Sequence, residues 1–169
     1  MNSMKKFTGI LLVTLSVIAV SCGTSKNAAT GSGEDYMAFI SKAVAEKNFK
    51  INVNTAFPQG ARMVSLSSPY SLEIKGDSVY SYLPFFGRAY RVPYSGSVGL
   101  NFDGVLTDYN VTRGKKNETI VKFNVISPED RHDYMVEIWD NGNSSVYVNS
   151  VNRQSISFEG RMDTKAIGE

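Results

Sequence analysis

Hydrophobic and polar positions along this chain fall into three successive patterns. Residues Phe7 to Val20 form an apolar run of 14 behind Lys5 and Lys6. Farther on, Tyr36, Ile40, Ala43 and Val44 recur at helical spacing, and from Phe49 the period drops to two. The middle pattern predicts a helix over Ser32 to Lys47. Ser32 supplies a capping hydroxyl, Glu34 and Asp35 favour the positive end of the dipole, and Ser41, Lys42 and Lys47 stand on the polar side. With a single helix in prospect, its apolar stripe must rest on a sheet.

The period-two region predicts the strands of that sheet. Phe49, Ile51 and Val53 alternate with Lys50, Asn52 and Asn54, and Pro58 and Gly60 mark the turn that follows. Met63 to Ser67 reads as a short second strand. Tyr70 to Leu83 is a hairpin around Gly76 and Asp77, a two-residue loop suited to a type II′ turn. That loop sets Lys75 opposite Ser78 and Ile74 beside Val79, leaving Glu73, Tyr80 and Tyr82 on the other face. Gly104 to Thr112 and Thr119 to Ile126 flank a turn at Gly114, with Val105, Tyr109 and Val111 expected inward against Val121, Phe123 and Val125. A second hairpin runs from Tyr134 to Val148 around Asn141 and Gly142. Read as a two-residue turn, it places Val136 and Ile138 on the face of Tyr147, and Met135 and Trp139 with Val146 and Val148. Both faces are then partly apolar, as in a sheet covered on both sides or curled into a partial barrel. Ser155 to Gly160 is expected as an edge strand.

Between the hairpins lies Pro84 to Asp103, with two prolines, several glycines and five aromatic residues. Long loops in compact domains are often functional. Two readings are open for Phe85, Phe86, Arg88, Tyr90 and Tyr94: a lid folded over the core, or a contact patch of the aromatic and arginine type enriched at interfaces. The expected fold class is α+β, mainly β: an antiparallel meander of about eight strands with one N-terminal helix packed on it.

Only now does the first pattern matter. Fourteen apolar residues fall short of the roughly 20 that span a bilayer, and the lysines before them make an n-region. Ala19 and Ser21 are small residues leading into Cys22, the chain's one cysteine. The segment resembles the signal of bacterial lipoproteins, with alanine at position 19 where leucine is more usual. The expected organisation is a signal peptide over 1–21, a flexible Gly, Ser and Asn tether over 22–33, and one β-rich domain over 34–169. Cys22 is the expected lipidation site, and acyl chains on it would hold the domain to a membrane. No acidic residue follows in Gly23 to Ala28, which favours the periplasmic face of the outer membrane.

Removing residues 1–21 takes away two lysines and no acid, so 18 basic and 16 acidic residues become 16 and 16. A neutral domain lacks the electrostatic footprint of a nucleic-acid binder. Catalytic signatures are equally sparse. His132 is the only histidine and lies in the charged segment PEDRHD, where it reads as a solvated loop residue. No serine stands in a G-x-S-x-G context, and one histidine with one cysteine is too few for a zinc site. No cofactor motif is present. The carboxylates Glu129, Asp130, Asp133, Glu137 and Asp140 leave one enzymatic alternative, a carboxylate-dependent hydrolase of envelope polymers.

The segments YSLEIKGDSVYSYLPFFGRAY (70–90) and NRQSISFEG (152–160) resemble the Bacteroidetes lipoprotein family catalogued as domain of unknown function 4251. The resemblance implies a cell-envelope location and supplies no catalytic residue, metal or cofactor. The leading expectation is a non-catalytic binding or interaction module, meeting an envelope protein or a small apolar ligand through the Pro84 to Tyr94 loop.

Overall fold

In the computed structural model, which describes residues 33–91, 99–127 and 130–164, alternation closes on itself. Helix α1 (Gly33–Ala45) precedes nine strands: β1 (Asn48–Pro58), β2 (Val64–Ser65), β3 (Ser71–Lys75), β4 (Ser78–Leu83), β5 (Leu100–Arg113), β6 (Thr119–Ile126), β7 (Arg131–Ile138), β8 (Asn143–Ser150) and β9 (Ile156–Met162). Every pairing is antiparallel. β3 to β9 follow in sequence order, and β9 returns to β1, so eight strands make a barrel with the short β2 added to β1. The expected edge strand is therefore no edge: β9 lies between β8 and β1.

Closure depends on a close approach of backbones. Gly160 faces β1, and a Cβ there would run into the Asn52 carbonyl, beside a bulge between Val53 and Thr55. A bulge bends its strand and raises the local twist, which the curvature of a small barrel requires.

Inward positions fill the barrel. Phe49, Ile51, Leu72, Ile74, Val79, Val121, Phe123, Val136, Val146 and Phe158 are all buried, each contributing about 1.5–3 kcal/mol by leaving water. An eight-stranded barrel is just wide enough for such side chains to pack its interior. The first hairpin keeps its expected register, Ile74 beside Val79 and Glu73 beside Tyr80, with Gly76 at φ +60° as a type II′ turn requires.

The second hairpin differs by one residue. Its loop is Asp140 to Gly142, closed by Trp139 N–H on Asn143 O at 2.9 Å and Gly142 N–H on Trp139 O at 2.7 Å, with Gly142 at φ +79°. This is the three-residue loop with a glycine in the left-handed position. A shift of one residue exchanges the faces. Val136 pairs with Val146 and Met135 with Tyr147, so the valines and Ile138 point inward together while Met135 and Tyr147 face out. The barrel is real, and its packed core lies on the inner face alone.

β5 also departs from expectation. It begins at Leu100, and a bulge between Thr107 and Asn110 sets two residues opposite one on β6. Val105 and Val111 are exposed, while Leu106 is buried and Tyr109 packs against the core. Simple alternation would send Asp108 inward; the bulge turns Tyr109 in instead.

Helix α1 plugs one end. Ile40, Ala43 and Val44 are buried, Tyr109 Oη–H donates to Val44 O at 2.7 Å, and the Tyr36 ring lies over Gly142. Gly76 N–H on Lys47 O at 2.8 Å ties the helix exit to the first hairpin.

Candidate functional site

The opposite end, where β4 runs into the long loop, is built from different chemistry. Pro84 is buried and Phe85 turns inward until its ring lies 5.3 Å from the Arg153 guanidinium carbon. Arg153 is itself buried and donates to Gly99 O at 2.9 Å. The loop is then sewn to the β8–β9 connection. Ala89 bridges Arg153, Tyr90 N–H donates to Asn152 O at 2.7 Å, and Gln154 N–H to Arg88 O at 3.0 Å. Gln154 Oε1 accepts from Arg88 N–H at 2.9 Å.

Below this strap the barrel holds a polar cluster. Period-two alternation puts His132, Tyr134, Ser81 and Ser150 on the inward face along with the valines. Ser81 Oγ–H donates to Leu100 O at 2.6 Å and accepts from Tyr134 Oη–H at 3.1 Å. His132 Nδ1 is 2.8 Å from Ser150 Oγ, and its Nε2 3.4 Å from Ser127 Oγ. Phe102 stacks on the imidazole at 4.5 Å and 10°. The expectation of a solvated His132 is overturned: the residue is 2 % exposed. Its place in β7, in step with Tyr134, Val136 and Ile138, outweighs the charged neighbours that suggested a loop.

Burial lowers the His132 pKa to about 4, with the Arg153 charge adding to the effect and Asp130 and Asp133 opposing it. The imidazole is therefore neutral at physiological pH. Burial likewise pushes the Tyr134 hydroxyl above the usual phenol range, which keeps it a donor. A serine beside a neutral histidine has the makings of a nucleophile and base. Here both serines and the ring are buried, and Phe102 covers one ring face, so the cluster satisfies the barrel's own polar groups.

The five loop residues divide. Phe85 is half-buried and acts as lid; Phe86 is 37 % and Tyr90 67 % exposed, and Arg88 points to solvent beside them. Tyr94 and the lipidation candidate Cys22 lie outside the described residues. Ser81, Tyr134 and Ser150 went unnoticed in the sequence, although strict alternation marks each as inward. The acidic candidates do not converge as a group. Asp130 holds Asn152, Asp133 lies 3.5 Å from Arg131 Nε, and Asp140 pairs with Arg113 at 3.1 Å; Glu129 is outside the described residues. Among the described residues no group of three or more His, Cys, Asp or Glu is placed to hold a metal.

Among the described residues, two shallow grooves lie on the outer wall. One, of about 460 Å³, lies over β3–β5 beside the exposed Tyr80 and Tyr82. Its Glu73 accepts from Lys75 at 2.7 Å, which with Lys50 holds that carboxyl below its ordinary range despite partial burial. The other lies over β5–β8.

These features define a side-chain-filled antiparallel β-barrel with a helix across one end and an aromatic strap across the other. The chain belongs to the family described as Domain of unknown function (DUF4251), whose model matches residues 32–162. It is similar in fold to the crystal structure of a DUF4251 family protein from Bacteroides eggerthii. The TM-score is 0.61 at 15 % identity, over 77 % of this chain and 87 % of that one. No curated protein matches the chain.

Proposed function

We propose that this is a lipid-anchored protein of the cell envelope, held through Cys22 to the periplasmic face of the outer membrane, whose barrel is a non-catalytic binding module. Its contact is the strap at the barrel mouth, and its partner is another envelope protein. The observation that carries this reading is the division of the loop. Phe85 suffices as a lid, while Phe86 and Tyr90 stay exposed beside Arg88. Aromatic residues and arginine are the types most enriched at protein interfaces.

Two further facts support it. The barrel interior is packed with side chains, which favours a macromolecular partner at the surface over an apolar small molecule within. Helix α1 closes the end opposite the strap and so leaves Phe86 and Tyr90 uncovered by it. The signal-like segment before Cys22 supports the location.

The test is photo-crosslinking in intact cells with a reactive residue at position 86 or 90, and at Thr112 near the other end as control. A discrete adduct from 86 and 90, lost when Arg88 is changed to Ala, is the expected result; equal labelling from both ends would end the proposal. Cys22→Ala should move the protein from the membrane to the soluble fraction, and its retention at the membrane would refute the anchor.

A further inference from the structure

The outer face of β5–β8 holds an array that the mouth does not use. The registers set Asn124 beside Asp133 and Asp133 beside Asn149, so amide, carboxylate and amide stand in a row across three strands. Two residues nearer the helix end, Lys122, Met135 and Tyr147 make a second row. Neighbours in such rows lie about 5 Å apart, close enough for one ligand to touch several.

Asp108 completes the array by way of the β5 bulge. It sits at φ +53°, a left-handed conformation that aspartate tolerates because its short side chain can bond locally. Asn124 Nδ2–H donates to Asp108 Oδ2 at 2.7 Å, fixing the carboxylate over the first row. Bulges commonly re-aim a side chain toward a site. The result is a groove of about 410 Å³ with the two rows as its floor.

Charge decides the class of guest. Asp108 and Asp133 bring two negative charges to the lining and Lys122 one positive, and Arg131 flanks the groove as the second cation, its Nε 3.5 Å from Asp133 Oδ1. A polyanion would meet both carboxylates and a polyamine both cations, so like-charge contacts penalise either. What the groove offers is a mixture: carboxylates accept, the ammonium donates, and each amide does both. Tyr147 and Met135 add an apolar surface. A neutral ligand whose hydroxyls both donate and accept, and whose C–H faces can lie on a ring, satisfies all of these at once. We propose that the Asp108, Asn124, Asp133, Tyr147, Asn149 groove binds a neutral carbohydrate.

The full chain in detergent micelles, labelled at methionine methyls, can be titrated with cellohexaose, maltohexaose and chitohexaose, with spermine and heparin as charged controls. At least one neutral oligosaccharide should shift the Met135 methyl signal saturably. Tyr147→Ala and Asn149→Ala, both at exposed positions, should each weaken that binding at least tenfold, while Tyr147→Phe retains it and Tyr80→Ala in the other groove leaves it unchanged. The proposal is overturned if none of the three sugars moves the Met135 signal, if spermine or heparin binds there more tightly, or if Tyr147→Ala and Asn149→Ala have no effect.

Discussion

The two ends of the barrel solve the same closure problem with opposite chemistry. At the helix end Ile40, Ala43 and Val44 bring a dry stripe onto the core, the Tyr109 hydroxyl donates to Val44 O, and the Tyr36 hydroxyl has no hydrogen-bond partner among the described residues. At the mouth Ser81, Tyr134, His132 and Ser150 are buried but bonded in pairs, Tyr134 to Ser81 and His132 to Ser150, and the buried Arg153 donates to Gly99 O nearby. An apolar plug gains stability from packing and tolerates no charge. A networked plug can hold polar groups, at the cost of needing every partner in place.

A charge inserted at each end tests this most severely. Val44→Asp would bury a carboxylate without a partner and should cost more than about 3 kcal/mol in urea unfolding. Ser150→Asp sets its carboxylate beside His132 and should cost less than half as much; equal losses would erase the distinction. Acid provides the next largest effect. His132 is held neutral when folded, with a pKa of about 4 against 6.5 for the free side chain, so the unfolded chain binds the extra proton. Stability is then full above pH 6.5 and falls as pH drops toward 4, by roughly 3 kcal/mol at about 1.36 per unit. Glu73, whose folded pKa is lowered, loses its contribution only below its free value of 4.5, so the decline between pH 6.5 and 4.5 belongs to the histidine. His132→Gln should flatten that interval in unfolding curves, and an unchanged slope would assign it elsewhere. The smallest contrast is a pair of hydroxyl deletions. Tyr134→Phe removes the bond to Ser81 and should cost about 1 kcal/mol, whereas Tyr36→Phe removes an unpartnered group and should leave stability equal or slightly raised. Equal losses from both would show that the helix-end hydroxyl has a partner after all.

Legibility in the sequence followed the range of the interaction that decided each feature. The helix and the Ile74–Val79 register were readable because spacing and a two-residue Gly-Asp loop act within a few residues. The second hairpin was misread because one extra loop residue leaves composition unchanged yet reverses the faces. The β5 bulge carries no local signature beyond an aspartate able to take positive φ: Tyr109 turns inward as expected, while Val105 and Val111, expected beside it, face out and Leu106 is buried instead. For His132 the information was present: its two-residue spacing from Tyr134, Val136 and Ile138 points inward, while Arg131 beside it opens the same strand and faces out. The division of the loop into lid and patch depends on bonds to Asn152 and Gln154, more than 60 residues away, which no local pattern carries.

The seam between β1 and β9 has a consequence for how the chain becomes a protein. Ile51 meets Met162 and Pro58 meets Ile156, so the first long strand waits for the last before the ladder is complete. Contacts of such sequence separation impose a loop-closure entropy before they return any stabilisation, and topologies dominated by them fold slowly. A chain emerging N-terminus first therefore stays open until its final strand is available. Once shut, the seam leaves no long strand edge among the described residues for a neighbouring copy to pair with.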